Sequence, residues 1–202
     1  MLPAVSTPRR SLARGEVSYV MTDDTTWLEW IEIQKQALKA QREGDLEQAS
    51  KMVRSFLQRP DIEELRCEAL DLLAQFKEER GEFEEAKNLL AQAVAHAPEG
   101  SYKRYAFQLA LAGAHEAMSD IEGAMKHYRQ ALETASQDDT TSAGAALQNF
   151  VRLRGEDRLS ADDRELIGRC IRQAWRLLKL EGEPELEDLT RAAKSMIRGT
   201  RS

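Results

Sequence analysis

The sequence is poor in the residue types that break or cross-link protein chains. Among its 202 residues are 5 prolines and 2 cysteines, and aromatic residues make up 6%, whereas charged residues reach 32%. This composition favours helices. Cys67 and Cys170 stand alone, without a CxxC motif, which excludes a disulfide framework and predicts two small buried thiols. Free thiols fit a reducing compartment, so we expect a cytoplasmic protein.

Long apolar runs, a basic excess and catalytic motifs are also missing. No apolar run approaches the roughly 20 residues that a membrane-spanning helix needs. The formal net charge of −6 argues against non-specific binding of nucleic acid. There is no glycine-rich phosphate loop, GxSxG or HExxH motif, and His96, His115 and His127 lack the spacing of converging metal ligands. We therefore expect no catalysis, cofactor, metal or membrane segment.

The sequence does contain a repeated motif. It consists of a small residue, an acid, a large apolar residue, two further residues and an alanine. It occurs at Gly44–Ala49, Gly81–Ala86 and Ser119–Ala124. The final alanines are spaced by 37 and then 38 residues. A fixed period in this range indicates stacked supersecondary units instead of one globular core.

Turn and capping residues divide the chain into nine predicted helices. These cover about 26–43, 46–58, 61–80, 82–96, 101–118, 121–135, 143–154, 160–180 and 184–197. Ser101 is predicted to cap the fifth helix. Three helix starts have the spacing of a capping box: Thr26 with Glu29, Asp61 with Glu64, and Ser160 with Asp163.

The second repeat unit resembles the tetratricopeptide repeat (TPR), whose pattern places large and small residues at set positions of two helices. The residues that carry this resemblance are Leu70, Leu73, Ala74, Gly81, Phe83, Ala86, Leu90, Ala93 and Pro98. The first unit matches at Ile33, Ala37, Gly44, Leu46, Ala49, Val53 and Pro60. It departs at Phe56, where a small residue is usual, and we expect splayed helices there. The third unit matches at Leu111, Ala112, Ile121, Ala124, Tyr128 and Ala131, without a closing proline.

The resemblance implies an all-α fold, a right-handed α-solenoid of antiparallel helix pairs with about nine helices and a carboxy-terminal capping helix. Residues 23–136 form three TPR-like hairpins, and 137–202 form a degenerate fourth hairpin plus the cap. The repeated alanines have a physical role, because two helices cross closely only where a side chain is short. Ala74 is predicted to meet Ala86 within a pair, and Ala93 to admit the next unit.

Residues 1–22 do not share this pattern, and three interpretations of them stay open. The first is a disordered tail. The second is that residues 1–20 are translated upstream DNA and Met21 is the natural start, because Arg14–Val17 can be encoded by a purine-rich stretch where a bacterial ribosome-binding site would lie. The third is an organellar transit peptide, since the segment is rich in Arg and Ser and poor in acids.

The first helix of each TPR pair lines a concave face that usually holds the ligand. The positions predicted to face it are Ile31, Gln34, Leu38, Gln41, Glu68, Asp71, Gln75, Glu78, Glu79, Leu109 and Glu116. Such a groove has acidic residues in its middle and apolar residues, Ile31, Leu38 and Leu109, on either side. This arrangement favours a basic or amphipathic partner. The alternative is that Glu is simply an ordinary exposed residue of a helix. The carboxylate clamp of chaperone-adaptor TPRs is not expected, because its positions hold Gln34, Leu38, Asp71 and Gln75.

Two other surfaces suggest different functions. A basic stripe on the eighth helix, formed by Arg169, Arg172, Arg176 and Lys179, is either a site for nucleic acid or an anionic ligand, or a solvated face. Trp27 and Trp30 near the start of the first helix either pack within the chain, which we favour, or form a dimer contact of a structural homo-oligomer.

The main prediction is a non-catalytic TPR-like adaptor or scaffold that binds a protein or peptide in its concave groove. By analogy with other TPR proteins, the partner is a secreted effector, a toxin or the remainder of a complex. These correspond to the roles of chaperone, immunity protein and complex subunit.

Overall fold

The computed structural model describes residues 24–135, 143–155 and 159–181, and in these residues all regular structure is helical. The α-helices are α1 (Asp24–Arg42), α2 (Leu46–Leu57), α3 (Arg66–Glu79), α4 (Phe83–His96), α5 (Tyr102–Ala117), α6 (Ile121–Ala135), α7 (Ala143–Arg154) and α8 (Ala161–Glu181). A short 3-10 turn, Glu63–Leu65, precedes α3. The prediction of an all-α fold is confirmed. The tail 1–22, the loop 137–141 and the ninth helix 184–197 lie outside the described residues.

Short, tightly closed links join the two helices of each of the first three hairpins. Gly44 and Gly81 have φ angles of +83° and +74°, which glycine adopts without steric cost. Around Gly44, the amide of Asp45 donates to the carbonyl of Ala40 at 2.9 Å, the long hydrogen bond of a Schellman motif. Ser119 occupies the same position in the third hairpin with a φ of +63°. Each link therefore turns the chain back after only a few residues, which makes neighbouring helices antiparallel.

The repeated alanines lie at the contacts between helices. Ala74 and Ala86 share one buried cluster, and Ala93 packs in another with Phe107. All six alanines that the repeat places at helix crossings have no exposed surface: Ala74, Ala86, Ala93, Ala112, Ala124 and Ala131. This confirms the predicted reason for their spacing, since a longer side chain at these points would push the helices apart.

Two of the predicted capping boxes are wrong. Thr26 lies inside α1, is buried, and donates its hydroxyl hydrogen to Asp61 at 3.3 Å. Asp61 also pairs with the guanidinium of Arg59 at 2.6 Å, which lowers the pKa of this carboxyl to about 2. Because Asp61 is used in these contacts, α3 begins later, at Arg66, after the 3-10 turn and without a side-chain cap.

The other two predicted caps are present. Ser101 accepts a hydrogen bond from the amide of Arg104 at 3.1 Å. At α8, the amide of Asp163 donates to the Ser160 hydroxyl at 3.1 Å, and the amide of Ser160 donates to Asp163 at 3.0 Å. Asp163 is only 2% exposed and also receives the guanidinium of Arg129 at 2.9 Å. The cap of α8 is therefore tied to α6.

Candidate functional site: the face of the first helices

Side-chain contacts join each first helix to the next along one face of the array. The pairs lie 35 to 38 positions apart: Gln41 of α1 with Glu79 of α3, Glu68 of α3 with Lys103 of α5, and Glu116 of α5 with Arg152 of α7. In the last pair one Arg152 nitrogen lies 2.6 and 2.7 Å from the two carboxylate oxygens. The contacts bring the predicted groove residues of α1, α3 and α5 onto a shared surface, on which Glu68 and Glu116 are neutralised by cations of the following helix.

Asp71 and Glu78 of α3 differ from those two acids. They are seven residues apart, two helical turns, and so lie on the same face of the helix. Asp71 accepts a hydrogen bond from Gln75 at 2.8 Å, but within the described part of the chain neither carboxylate forms an ion pair. Burial raises the pKa of Asp71, and burial together with the charge of Asp71 raises the pKa of Glu78. The middle of the face therefore carries two acids that repel one another.

Large apolar side chains lie beside this acidic centre. On α1, Trp27 is 47% and Ile31 is 43% exposed, and they are one turn apart on the helical stripe that also holds Gln34 and Gln41. Leu38 is half-buried and packs against the core of the first hairpin. Trp27 was not among the predicted groove residues, although its spacing of four from Ile31 is a usable signal.

On α5, the predicted apolar step Leu109 is half-buried against the core of the third hairpin. Tyr102, seven residues before Leu109, is 53% exposed at the start of the helix. It was also missing from the predicted groove. Apolar surface thus lies on both sides of α3 and its acids.

The two predicted roles of the tryptophans separate in the structure. Trp30 is buried at 2% exposure and packs inside the first hairpin, whereas Trp27 remains exposed.

On the basic stripe of α8, Arg169 and Arg172 are both exposed, and Arg169 lies 3.5 Å from Glu165 one turn away. The side chains of Arg176 and Lys179 lie outside the described residues. An exposed pair of this kind contributes little to stability.

Both cysteines are buried, as predicted. Burial is the largest cause that raises the pKa of Cys67, to about 12, and that of Cys170, to about 11. A thiol with so high a pKa is almost entirely protonated near neutral pH and is a poor nucleophile. These two side chains therefore fill the core.

The histidines of the third hairpin contact each other, which their sequence spacing did not predict. The rings of His115 and His127 stack with centroids 5.0 Å apart, and His115 Nδ1 lies 2.8 Å from Asp120. Across the described ranges, no group of three or more His, Cys, Asp or Glu side chains is placed to hold a metal ion. Within the same ranges, no helix combines the length and the apolar character needed to span a membrane.

Comparison with known proteins identifies the fold. No protein-family model matches the sequence, and no curated protein matches it either. The solved structure of BtubC (BKLC) from P. vanneervenii is similar, with a TM-score of 0.61 and 19% identity over 88% of this chain and 83% of that one.

A set of nearly identical TPR-like repeats from Podosopora anserina, named after a kinesin light chain, is also similar. It has a TM-score of 0.52 and 18% identity over 88% of this chain and 98% of that chain. Identity this low supports a statement about architecture and none about activity. The chain has the fold of a TPR-like α-solenoid.

Proposed function

We propose that this protein is a non-catalytic TPR-like adaptor that binds a protein or peptide along the face of its first helices. The observation that carries the proposal is the pair Asp71 and Glu78, which has no cation partner among the described residues. Of the other three acids of the face, Glu68 and Glu116 each have one, and Glu79 accepts a hydrogen bond from Gln41. A TPR-like solenoid offers such an extended surface for binding a partner.

The chemistry of the face suggests the chemistry of the partner. A Lys or Arg side chain placed between Asp71 and Glu78 would relieve the repulsion between the two carboxylates and gain a charge-assisted hydrogen bond. Large apolar side chains on either side of that residue would cover Trp27 and Ile31 on α1 and Tyr102 on α5. We therefore propose a basic, amphipathic segment as the partner. A cytoplasmic location belongs to the same proposal and is supported by the free, buried cysteines.

The test uses the full chain as bait, with a charge-reversed variant beside it. Asp71→Lys with Glu78→Lys is preferable to a variant at Glu68, because Lys103 already neutralises Glu68. Glu99→Lys with Glu122→Lys is the matched control, since it makes the same charge change at exposed positions away from this face. Proteins that the wild type and the control retain, and the groove variant loses, are candidate partners.

The affinity of a purified candidate is then measured at several salt concentrations. The groove variant should bind more weakly, and its affinity should depend less on salt, because a charged contact has been removed. Equal affinity of the groove variant and the wild type would contradict the proposed site. A partner rich in acidic residues would contradict the proposed partner chemistry.

A further inference from the structure

The first hairpin has an open groove on the side that faces away from the rest of the array. The groove has a volume of about 820 Å³ and an apolar floor formed by Ile33 of α1 with Met52 and Phe56 of α2. Its lining extends from Asp45 to Arg59, the full length of α2. The groove is distinct from the face of the first helices, because Ile33 lies on a different side of α1 from Ile31 and Gln34.

The equivalent groove of the second hairpin is closed by a helix. A shift of one repeat, from Ala49 to Ala86, takes Ile33 to Leu70 and Phe56 to Ala93. Leu70 and Ala93 belong to one buried cluster, and Leu57 of α2 packs against that cluster. The groove of the first hairpin is thus a further copy of a helix-stacking surface, and no described residue covers it. Stacked repeats expose such a surface at the end of the array unless something caps it.

The order of the residues along this groove makes one copy of α2 complementary to a second, antiparallel copy. Met52 lies at the centre, and Asp45 and Arg59 lie seven residues before and after it. Gln48 and Ser55 lie between the centre and the two ends. Gln48, Met52 and Ser55 follow each other at steps of four and three residues, so they share one face of α2, and Asp45 and Arg59 line the same groove just beyond the two ends of the helix.

If two copies of α2 lie antiparallel about Met52, the two methionines meet at the centre. Asp45 of each copy then lies opposite Arg59 of the other, and Gln48 lies within one residue of the position opposite Ser55. An acid therefore meets a base and an amide lies near a hydroxyl, which is the self-complementarity that a two-fold interface requires.

We propose that the occupant of this groove is a second copy of the same chain, which forms a two-fold dimer through antiparallel α2 helices. The proposal is independent of the function proposed above, because it uses another surface. The apolar surface that the half-buried side chains of Met52 and Ile33 still expose supplies the main attraction. Asp45 and Arg59 set the antiparallel orientation more than the affinity, since Arg59 is shared with Asp61 and Glu29 inside each copy.

Lys51 is the lining residue least suited to the centre of such a dimer. It neighbours Met52, is exposed, and forms no ion pair with the described residues. Its four-carbon side chain can extend from the interface to the rim and leave the ammonium group in water. Lys51 is therefore compatible with the dimer when its side chain points along the rim.

The first experiment is sedimentation equilibrium of the full chain over a wide range of concentrations. The wild type should form a dimer, and Met52→Glu should raise the dissociation constant by about tenfold or more, because it places two carboxylates at the two-fold axis. Met125→Glu is the control, since Met125 is also half-buried but packs against the core of the third hairpin. A wild type that stays monomeric at every concentration, or a dimer that Met52→Glu leaves unchanged, overturns the proposal.

The second experiment locates the axis and does not depend on the fold tolerating a buried charge. In Met52→Cys the two new thiols face each other across the axis, so mild oxidation should give a covalent dimer. Met125→Cys should remain monomeric, and the native thiols of Cys67 and Cys170 are buried and do not compete. A dimer in solution without cross-linking at position 52 contradicts the α2 interface. The charge-reversed Asp71 and Glu78 variant should still dimerise, which keeps this test separate from that of the proposed function.

Discussion

Trp30 of α1 stacks on Phe56 of α2, with ring centroids 4.9 Å apart and ring planes 26° apart. The guanidinium carbon of Arg59 lies 5.6 Å from the centre of the Phe56 ring. Trp30 is 2% and Phe56 is 1% exposed. The large residue at position 56, where TPR units usually have a small one, is thus matched by a large aromatic residue on the paired helix. The two rings fill the space between α1 and α2.

This stack predicts a large loss of stability on truncation. Phe56→Ala should lower the free energy of unfolding by about 3–5 kcal/mol, because it leaves a cavity beside Trp30. Phe83→Ala removes the same ring at a half-buried position and should cost clearly less. Urea unfolding monitored by circular dichroism measures both. Equal losses for the two variants would mean that the stack adds nothing beyond the burial of an ordinary phenylalanine.

The hairpin links at Gly81 and Ser119 predict opposite effects of two substitutions on stability. Ser119 holds a φ of +63°, a conformation that costs a residue with a side chain about 1 kcal/mol or more relative to glycine. Ser119→Gly should therefore stabilise the protein by about 1 kcal/mol, and Gly81→Ser should destabilise it by a similar amount. Thermal unfolding of both variants, compared with the wild type, checks the signs. Two shifts of the same sign would show that the backbone conformation is not the controlling factor.

The stacked histidines predict a dependence of stability on pH. Burial lowers the pKa of His127, and the neighbouring charge of His115 acts in the same direction. The unfolded chain therefore binds a proton at a higher pH than the folded one does. The contribution of His127 is fully present above its unfolded pKa of about 6.5 and is lost as the pH falls below that value.

The comparison that isolates this contribution is His127→Gln against the wild type between about pH 7.5 and pH 5.5. The wild type should lose more stability on acidification than the variant. His96→Gln is the control, since His96 is exposed on α4 beside Glu63 and should leave most of the acid-induced loss in place. Parallel stability curves for His127→Gln and the wild type would remove His127 as the cause.

The capping box of α8 predicts a difference between two adjacent aspartates. Asp163→Ala removes the carboxylate that accepts a hydrogen bond from the Ser160 amide and pairs with Arg129, and should cost about 1–2 kcal/mol. The backbone amide of residue 163 still donates to the Ser160 hydroxyl in this variant. Asp162→Ala changes an exposed acid in the same helical turn and should cost a few tenths of a kcal/mol. Chemical denaturation gives both values, and hydrogen exchange of the α8 amides should increase only in the first variant. A similar cost at both positions would contradict the link between α6 and α8.

Most of the helix boundaries could be predicted because the signals that end a helix are local. Gly44 and Gly81 mark links by a backbone conformation that few other residues adopt, and Ser101 and Ser160 mark starts through hydrogen bonds that reach only three residues. The capping boxes at Thr26 and Asp61 failed for the opposite reason. Thr26 and Asp61 bond to each other across 35 residues, a contact that no local pattern contains.

The sequence indicated which residues of the candidate site share one face, but not which of their charges are neutralised by ion pairs. The spacing of the first helices predicted that Glu68, Asp71, Glu78, Glu79 and Glu116 are acids of one face, and did not distinguish between them. In the structure Glu68 and Glu116 are neutralised, whereas Asp71 and Glu78 form no ion pair with described residues. The cations that make the difference, Lys103 and Arg152, come from the next repeat.

The sequence by itself determined the hairpins and how closely they stack, because residues that permit positive φ set where the chain turns and alanines at a fixed period set where helices can touch. Only the tertiary structure decided which acids on the face of the first helices pair with a cation of the next repeat. Ion pairs between repeats depend on the lateral distance and rotation between stacked helices. These quantities arise from the packing of all the hairpins together, and no single segment contains them.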